Sequence, residues 1–212
     1  MFSFLLKSHP RSAPWASSVR LTVVTLALCL LPCAAARAAL ISGGACNESA
    51  LTRPFAQWGD SNLYELVPQG NFEGSLSQWT LTGGAGRAPE SEPYGATGAV
   101  GKWSLALPAG ASAQSPYTCV NASYPSFRFF AHNDGVLSTV IAQVVYKTVL
   151  GPVALPLGAV ALSGSWQPTL PMLTGSVVGG LLSGGTAQVA LRFTALTGAS
   201  QIDDVYIDPR MR

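Results

Sequence analysis

The sequence predicts an all-β fold, a two-sheet antiparallel β-sandwich with a short N-terminal arm. Three observations carry this. The chain is rich in Gly, Pro, Ser, Thr and Val and poor in strong helix formers such as Glu and Lys. Its apolar runs alternate with period two and keep no long uninterrupted 3.6 period. Gly- and Pro-rich punctuators separate those runs at the modest spacing of sandwich strands.

Residues 1–38 are set apart first. Lys7, Arg11, Arg20 and Arg37 have no acidic neighbour there, and "LTVVTLALCLLPCAAA" is an apolar run that ends in small residues. This layout is that of a cleaved secretory signal, with cleavage expected after Ala36 or Ala38. The run is short of the roughly 20 apolar residues of a membrane anchor. Pro32 before Cys33 and Leu28 before Cys29 do not match a lipoprotein signal. The expected location is therefore extracellular, with no membrane span after cleavage.

Removing this segment takes four basic residues and no acidic ones from a chain with 12 Lys+Arg and 10 Asp+Glu, leaving eight against ten, a net charge of −2. No basic cluster remains for nucleic acid or for an anionic membrane surface. Cys46 and Cys119 are the cysteines left, and in an exported chain they are expected to form one disulfide, the alternative being two buried thiols. Two cysteines are too few for a structural zinc site.

Residues 39–64 form the arm. "ACNESALTRPFAQWGDSNLYEL" alternates little, and Phe55 with Trp58 is expected to anchor a short helical turn or loop on the sandwich, tied through Cys46. Residues 65–209 form the sandwich. "LSQWTLT" and "KWSLALP" fit strands, with Trp79 expected in the core. "SFRFFAH" puts Phe127, Phe129 and Ala131 on one face and Arg128, Phe130 and His132 on the other. The turn signal Asn133-Asp134-Gly135 then points to a hairpin into "VLSTVIAQVVYK". "AQVALRFTA" sends Val189, Leu191 and Phe193 inward and Gln188, Ala190, Arg192 and Thr194 outward, and "DDVYID" closes the sheet. "TGGAGRAPESEPYGATG", "LPAGASAQSP", "LGPVALPLG" and "LTGSVVGGLLSGG" read as connections.

Few groups support catalysis. His9 leaves with the signal, so His132 stands alone as a surface polar residue, with no Gly-x-Ser-x-Gly elbow beside any serine. A glycoside hydrolase would need two facing carboxyls. Glu65, Glu73, Glu90, Glu92, Asp60, Asp134, Asp203, Asp204 and Asp208 supply carboxyls but no recognisable motif, and Glu90 and Glu92 read as solvated charges in a Pro-rich loop. Phosphate loops are absent. Asn47 and Asn121 begin sequons that matter only on a eukaryotic secretory route.

"LVPQGNFEGSLSQWT" near the start of the sandwich and "QIDDVYID" at its end resemble carbohydrate-binding-module-like jelly rolls, the galactose-binding-like fold. In that family an Asn-(Gly)-x-Phe-Glu opening precedes a Trp-containing strand, and the last strand carries Ile-Asp-Asp-Val. "QGNFEG" departs from the fuller form of the opening. The resemblance covers about residues 66 to 208, and it implies a secreted, non-catalytic module that binds carbohydrate of a wall or external polysaccharide. It also implies a structural calcium ion, carried onto Glu73 and Asp203, with Asp204 as the alternative because alternation sends the two aspartates to opposite faces. The aromatics beside turns, Trp103, Trp166, Tyr94, Tyr117 and Tyr124, are then the candidate sugar platform. The competing reading is a structural or adhesive surface component that recognises protein, and a hydrolase is the third.

Overall fold

A computed structural model describes residues 50–121, 126–133, 137–174 and 186–208. The chain divides into Met1–Ala38 and Ala39–Arg212. Residues 1–49, with Cys46 and Asn47 among them, Tyr124, residues 134–136 and the Gly-rich stretch 175–185 lie outside the described residues. No helix among the described residues is long and apolar enough to cross a membrane.

The fold is an antiparallel two-sheet sandwich. One sheet orders its strands β10 (Gln167–Pro168), β7 (Ser126–Asn133), β13 (Ser200–Asp208), β4 (Trp103–Leu107) and β3 (Gly86–Pro89). To this path β1 (Glu65–Leu66) adds on β13 and β11 (Met172–Leu173) on β7. The other sheet runs β2 (Thr80–Thr82), β5 (Ser112–Gln114), β12 (Thr186–Thr197), β8 (Ser138–Thr148) and β9 (Gly151–Leu162), with β6 (Thr118–Asn121) also on β12. Below, the first is the seven-stranded sheet and the second the six-stranded sheet.

The main core lies between them and follows the alternation. Leu105, Leu107, Phe127, Phe129 and Ile202 meet Val140, Ala142, Val144, Val189, Leu191 and Phe193, with the Phe129 and Phe193 rings edge to face at 4.9 Å.

The opening motif is fixed by its contact with the last strand. Val67 N–H donates to the Val205 carbonyl and Val205 N–H to the Gly70 carbonyl. A Cβ on Gly70 would stand 2.8 Å from the Val205 oxygen and 2.9 Å from the Val67 oxygen, so only glycine lets the two backbones approach. The turn drops Phe72 into the core, where Trp79 meets it edge to face at 5.1 Å and donates its ring N–H to the Pro68 carbonyl. Trp79 is core, as its pattern implies, but it sits at the bend before β2 rather than inside a strand.

Four expectations need correction. β7 and β8 are not a hairpin: β7 pairs with β13 and β8 with β12 and β9, because their apolar faces meet across the core instead of side by side. The two-residue hairpin is β8 to β9, and "LGPVALPLG", read as a connection, belongs to a twelve-residue edge strand. Pro152 and Pro156 are tolerated there because an edge strand leaves one row of N–H groups unpaired. The expected Cys46–Cys119 disulfide is not seen: among the described residues no cysteine pair stands at bonding distance, Cys119 being the one cysteine there, and Cys119 is not a free thiol.

His132 is the fourth correction. It is 6% exposed rather than a surface residue, with its ring 4.3 Å from that of Trp166. The cause is the arm. Phe55, Tyr64, Phe130, Trp166 and Tyr206 form a second apolar cluster on the outward face of the seven-stranded sheet, so every residue of β7 and β13 is buried. Phe55 precedes a 3-10 turn, Ala56–Trp58, and stacks on Phe130 at 5.5 Å. Arg128 lies over the Phe55 ring at 4.2 Å and pairs with Asp60 at 2.8 Å. Burial opposes the Asp60 charge, but hydrogen bonds from Tyr64 and Arg128 hold its carboxyl below the usual value.

Candidate functional site

The outward face of the six-stranded sheet is buried at Val145 and Ala190, but toward β2 and β5 it carries a groove of ≈ 320 Å³. The register builds it in two rows. Thr80, Gln114, Arg192 and Gln143 stand side by side across β2, β5, β12 and β8. Thr82, Ser112 and Thr194 form the next row. All are outward positions of strands whose inward neighbours fill the core, so alternation alone places a polar surface here.

The side chains are held across strands. Arg192 Nε and Nη2 both donate to Gln114 Oε1, at 3.1 and 2.7 Å, and Thr194 Oγ1 reaches Ser112 Oγ at 3.2 Å. The lining contains hydroxyls, amides and one guanidinium, with no ring, carboxyl or imidazole. Such a surface can bind hydroxyl-rich ligands but offers no acid–base pair for hydrolysis. Sequence reasoning placed Arg192 and Thr194 outward without singling them out. The missed signal was a run of polar outward positions on neighbouring strands, legible only once strand order is known.

The aromatics expected as a platform are dispersed. Trp166 is buried and donates its ring N–H to Glu90. Tyr94, 40% exposed, packs on Trp58 and Phe130 and donates its hydroxyl to the Trp166 carbonyl, on the arm side. Trp103 lies in β4 under the Arg87 guanidinium, 4.5 Å from its ring. Tyr117 stands beside β6 with the Lys147 ammonium 5.8 Å away. Tyr124 lies outside the described residues. Of these, the structure brings only Tyr94 and Trp166 together.

The expected metal residues lie near enough for the Glu73 and Asp203 charges to act on Asp204. Glu73 Oε1 accepts the Lys102 and Trp103 N–H groups. Asp203 accepts from the Ser91 hydroxyl at 2.7 Å, from Glu92 N–H at 3.0 Å and from Asp204 N–H at 2.8 Å. A Cβ on Gly101 would meet both Glu73 Oε1 and Ser91 Oγ, which locates the two carboxylates on either side of that point.

Strict alternation fails at the aspartates. The β13 register shifts between Asp203 and Tyr206, and Asp204 has φ of 46°, so this irregularity turns its carboxyl to the same cluster. Glu92, read as solvated, is 1% exposed and caps the Tyr94 and Ala96 N–H groups.

Burial raises Asp203 to about 7, while burial and then the Asp203 and Glu92 charges raise Asp204 to about 9; no basic side chain offsets them. Clustered carboxyl oxygens are the donor type a hard cation takes. The carboxyls are nonetheless engaged with backbone donors, and no group of three or more His, Cys, Asp or Glu among the described residues is arranged to hold a metal ion.

No family model matches the chain, and no curated protein does. Solved structures share its fold. One holds the CBM22-1 and GH10 modules of a Clostridium thermocellum endo-1,4-β-D-xylanase complexed with xylohexaose, at TM-score 0.51 and 17% identity over 70% of this chain and 29% of that one. A CBM22-1 xylan-binding domain from Paenibacillus barcinonensis has TM-score 0.47 and 14% identity over 68% and 94% of the two chains. A third, a CBM61 module with β-1,4-galactotriose, has TM-score 0.40 and 14% identity over 68% and 98%. The chain thus has a carbohydrate-binding-module-like, jelly-roll, all-β fold. At these identities the likeness is one of fold.

Proposed function

We propose that this is a secreted, non-catalytic module that binds carbohydrate in the groove of the six-stranded sheet. The observation that carries the reading is the uncovered, cross-strand set of hydroxyls and amides at Thr80, Thr82, Ser112, Gln114, Gln143 and Thr194. Sugar hydroxyls are both donors and acceptors, and Ser, Thr and Gln side chains match both roles. The groove volume of ≈ 320 Å³ stands at the lower end of the usual range of roughly 300–1,000 Å³ for ligand sites. The jelly-roll fold supports the reading because it exposes one broad sheet face.

A calcium ion near Glu73, Asp203 and Asp204 is part of the proposal, as a structural element. The support is the set of buried carboxyls near the junction of the opening motif and the last strand. A chelator would then lower the melting temperature, and calcium would restore it.

A glycan array probed with Ala39–Arg212, with and without chelator, tests the binding reading. Binding to at least one glycan class is expected, and no binding in calcium would overturn it. The competing protein-recognition reading is favoured by a separate apolar groove of ≈ 490 Å³ between β9 and the Pro168–Met172 stretch, beside which Leu170 is 82% exposed.

A further inference from the structure

Charge divides between the two sheets. β2, β5, β6, β8, β9 and β12 contain no Asp or Glu, and their charged residues are Lys147 and Arg192. Asp60, Glu65, Glu73, Glu90, Glu92, Asp203, Asp204 and Asp208 all stand on the seven-stranded sheet, its loops or the arm. Arg128 and Arg192, one on each sheet, show the consequence. Arg128 is matched by Asp60, the one ion pair among the described residues. Arg192, in the groove, is held by the neutral oxygen of Gln114.

The way Arg192 is held decides which of its donors remain. A guanidinium has five N–H groups in a plane. Nε and Nη2 are spent on one Gln114 oxygen, along the side of the fork. The end of the fork, between Nη1 and Nη2, keeps a pair of parallel N–H groups. That pair is the geometry that carboxylates accept bidentately. Gln114 therefore fixes the plane of the guanidinium without neutralising it.

We propose that the groove's ligand is an acidic polysaccharide, with a uronate carboxylate seated on Arg192 and neighbouring sugar hydroxyls on Gln143, Thr80 and Thr194. This deepens the carbohydrate reading and rests on it. A sheet free of acidic side chains does not repel a polyanion, and a neutral sugar would leave the end of the fork to water.

The test compares short oligosaccharides of polygalacturonate, glucuronoxylan and alginate, each against its own carboxyl-reduced form, by titration calorimetry. The wild-type chain is expected to bind at least one acid form about tenfold to a hundredfold tighter than its reduced partner, as charge-assisted hydrogen bonds imply. Added sodium chloride should erode that preference. Arg192→Gln should abolish it, while Arg192→Lys, which keeps charge but not the planar fork, should restore it only in part.

If a reduced or neutral glycan binds as tightly as any acid form, the charge inference falls while the carbohydrate reading stands. If nothing binds here or on the array, both fall. The wild-type comparison decides this even if a variant fails to fold.

Discussion

The two outward faces of the sandwich have opposite fates. On the seven-stranded sheet the arm lays Phe55 and Tyr64 over Phe130 and Tyr206, and both faces of β7 and β13 become interior. On the six-stranded sheet the corresponding face carries a polar groove whose lining has no ring. Of the aromatic residues that make the chain look equipped for sugar stacking, Tyr94 and Trp166 are spent on the arm side, while Trp103 and Tyr117 pack elsewhere against Arg87 and Lys147. The difference teaches that ring count near turns says little about a binding face until the strands are assigned to sheets.

The largest effect that would separate the faces comes from Phe55→Ala. Loss of a fully buried ring under Arg128 should cost about 3 kcal/mol or more in urea unfolding and leave glycan affinity of the folded protein unchanged. Asp60→Ala, which strands the buried Arg128 guanidinium, should cost about 3 kcal/mol. If it costs nothing, the arm is not held as described.

Gly70→Ala should cost about 2 kcal/mol, because its new methyl meets two backbone oxygens that cannot yield. The carboxyl cluster should also make stability depend on pH. Asp203 and Asp204 keep their protons in the fold after the unfolded chain, near 3.8, has released them. Their stabilisation is present below that value and is lost as pH rises through about 7 and then about 9. Thermal melts in chelator should fall over this window, and Asp204→Asn should flatten the fall.

The smallest effect on stability belongs to the open face. Gln143→Ala should change unfolding free energy by less than about 0.5 kcal/mol while weakening glycan binding.

Much of the fold was legible in short stretches. The inward set Val189, Leu191 and Phe193 is inward, and the opening and closing motifs do meet, through Val67, Gly70 and Val205. What failed was what depends on partners. The hairpin at Asn133 failed because a turn signal does not say whether the next strand joins the same sheet. Strand β9 was missed because prolines at a free edge read like a loop. Burial of His132 and Glu92 depended on an arm and a loop that period-two reasoning cannot place. At the groove, the Gln114–Arg192–Gln143 row required the register.

The most direct test of the account maps the bound face by amide and side-chain NMR shifts as a bound glycan is titrated into the chain. Changes confined to Thr80, Ser112, Gln114, Gln143, Arg192 and Thr194 are predicted. Changes centred on Trp58, Tyr94 and Trp166, with the groove silent, would contradict it.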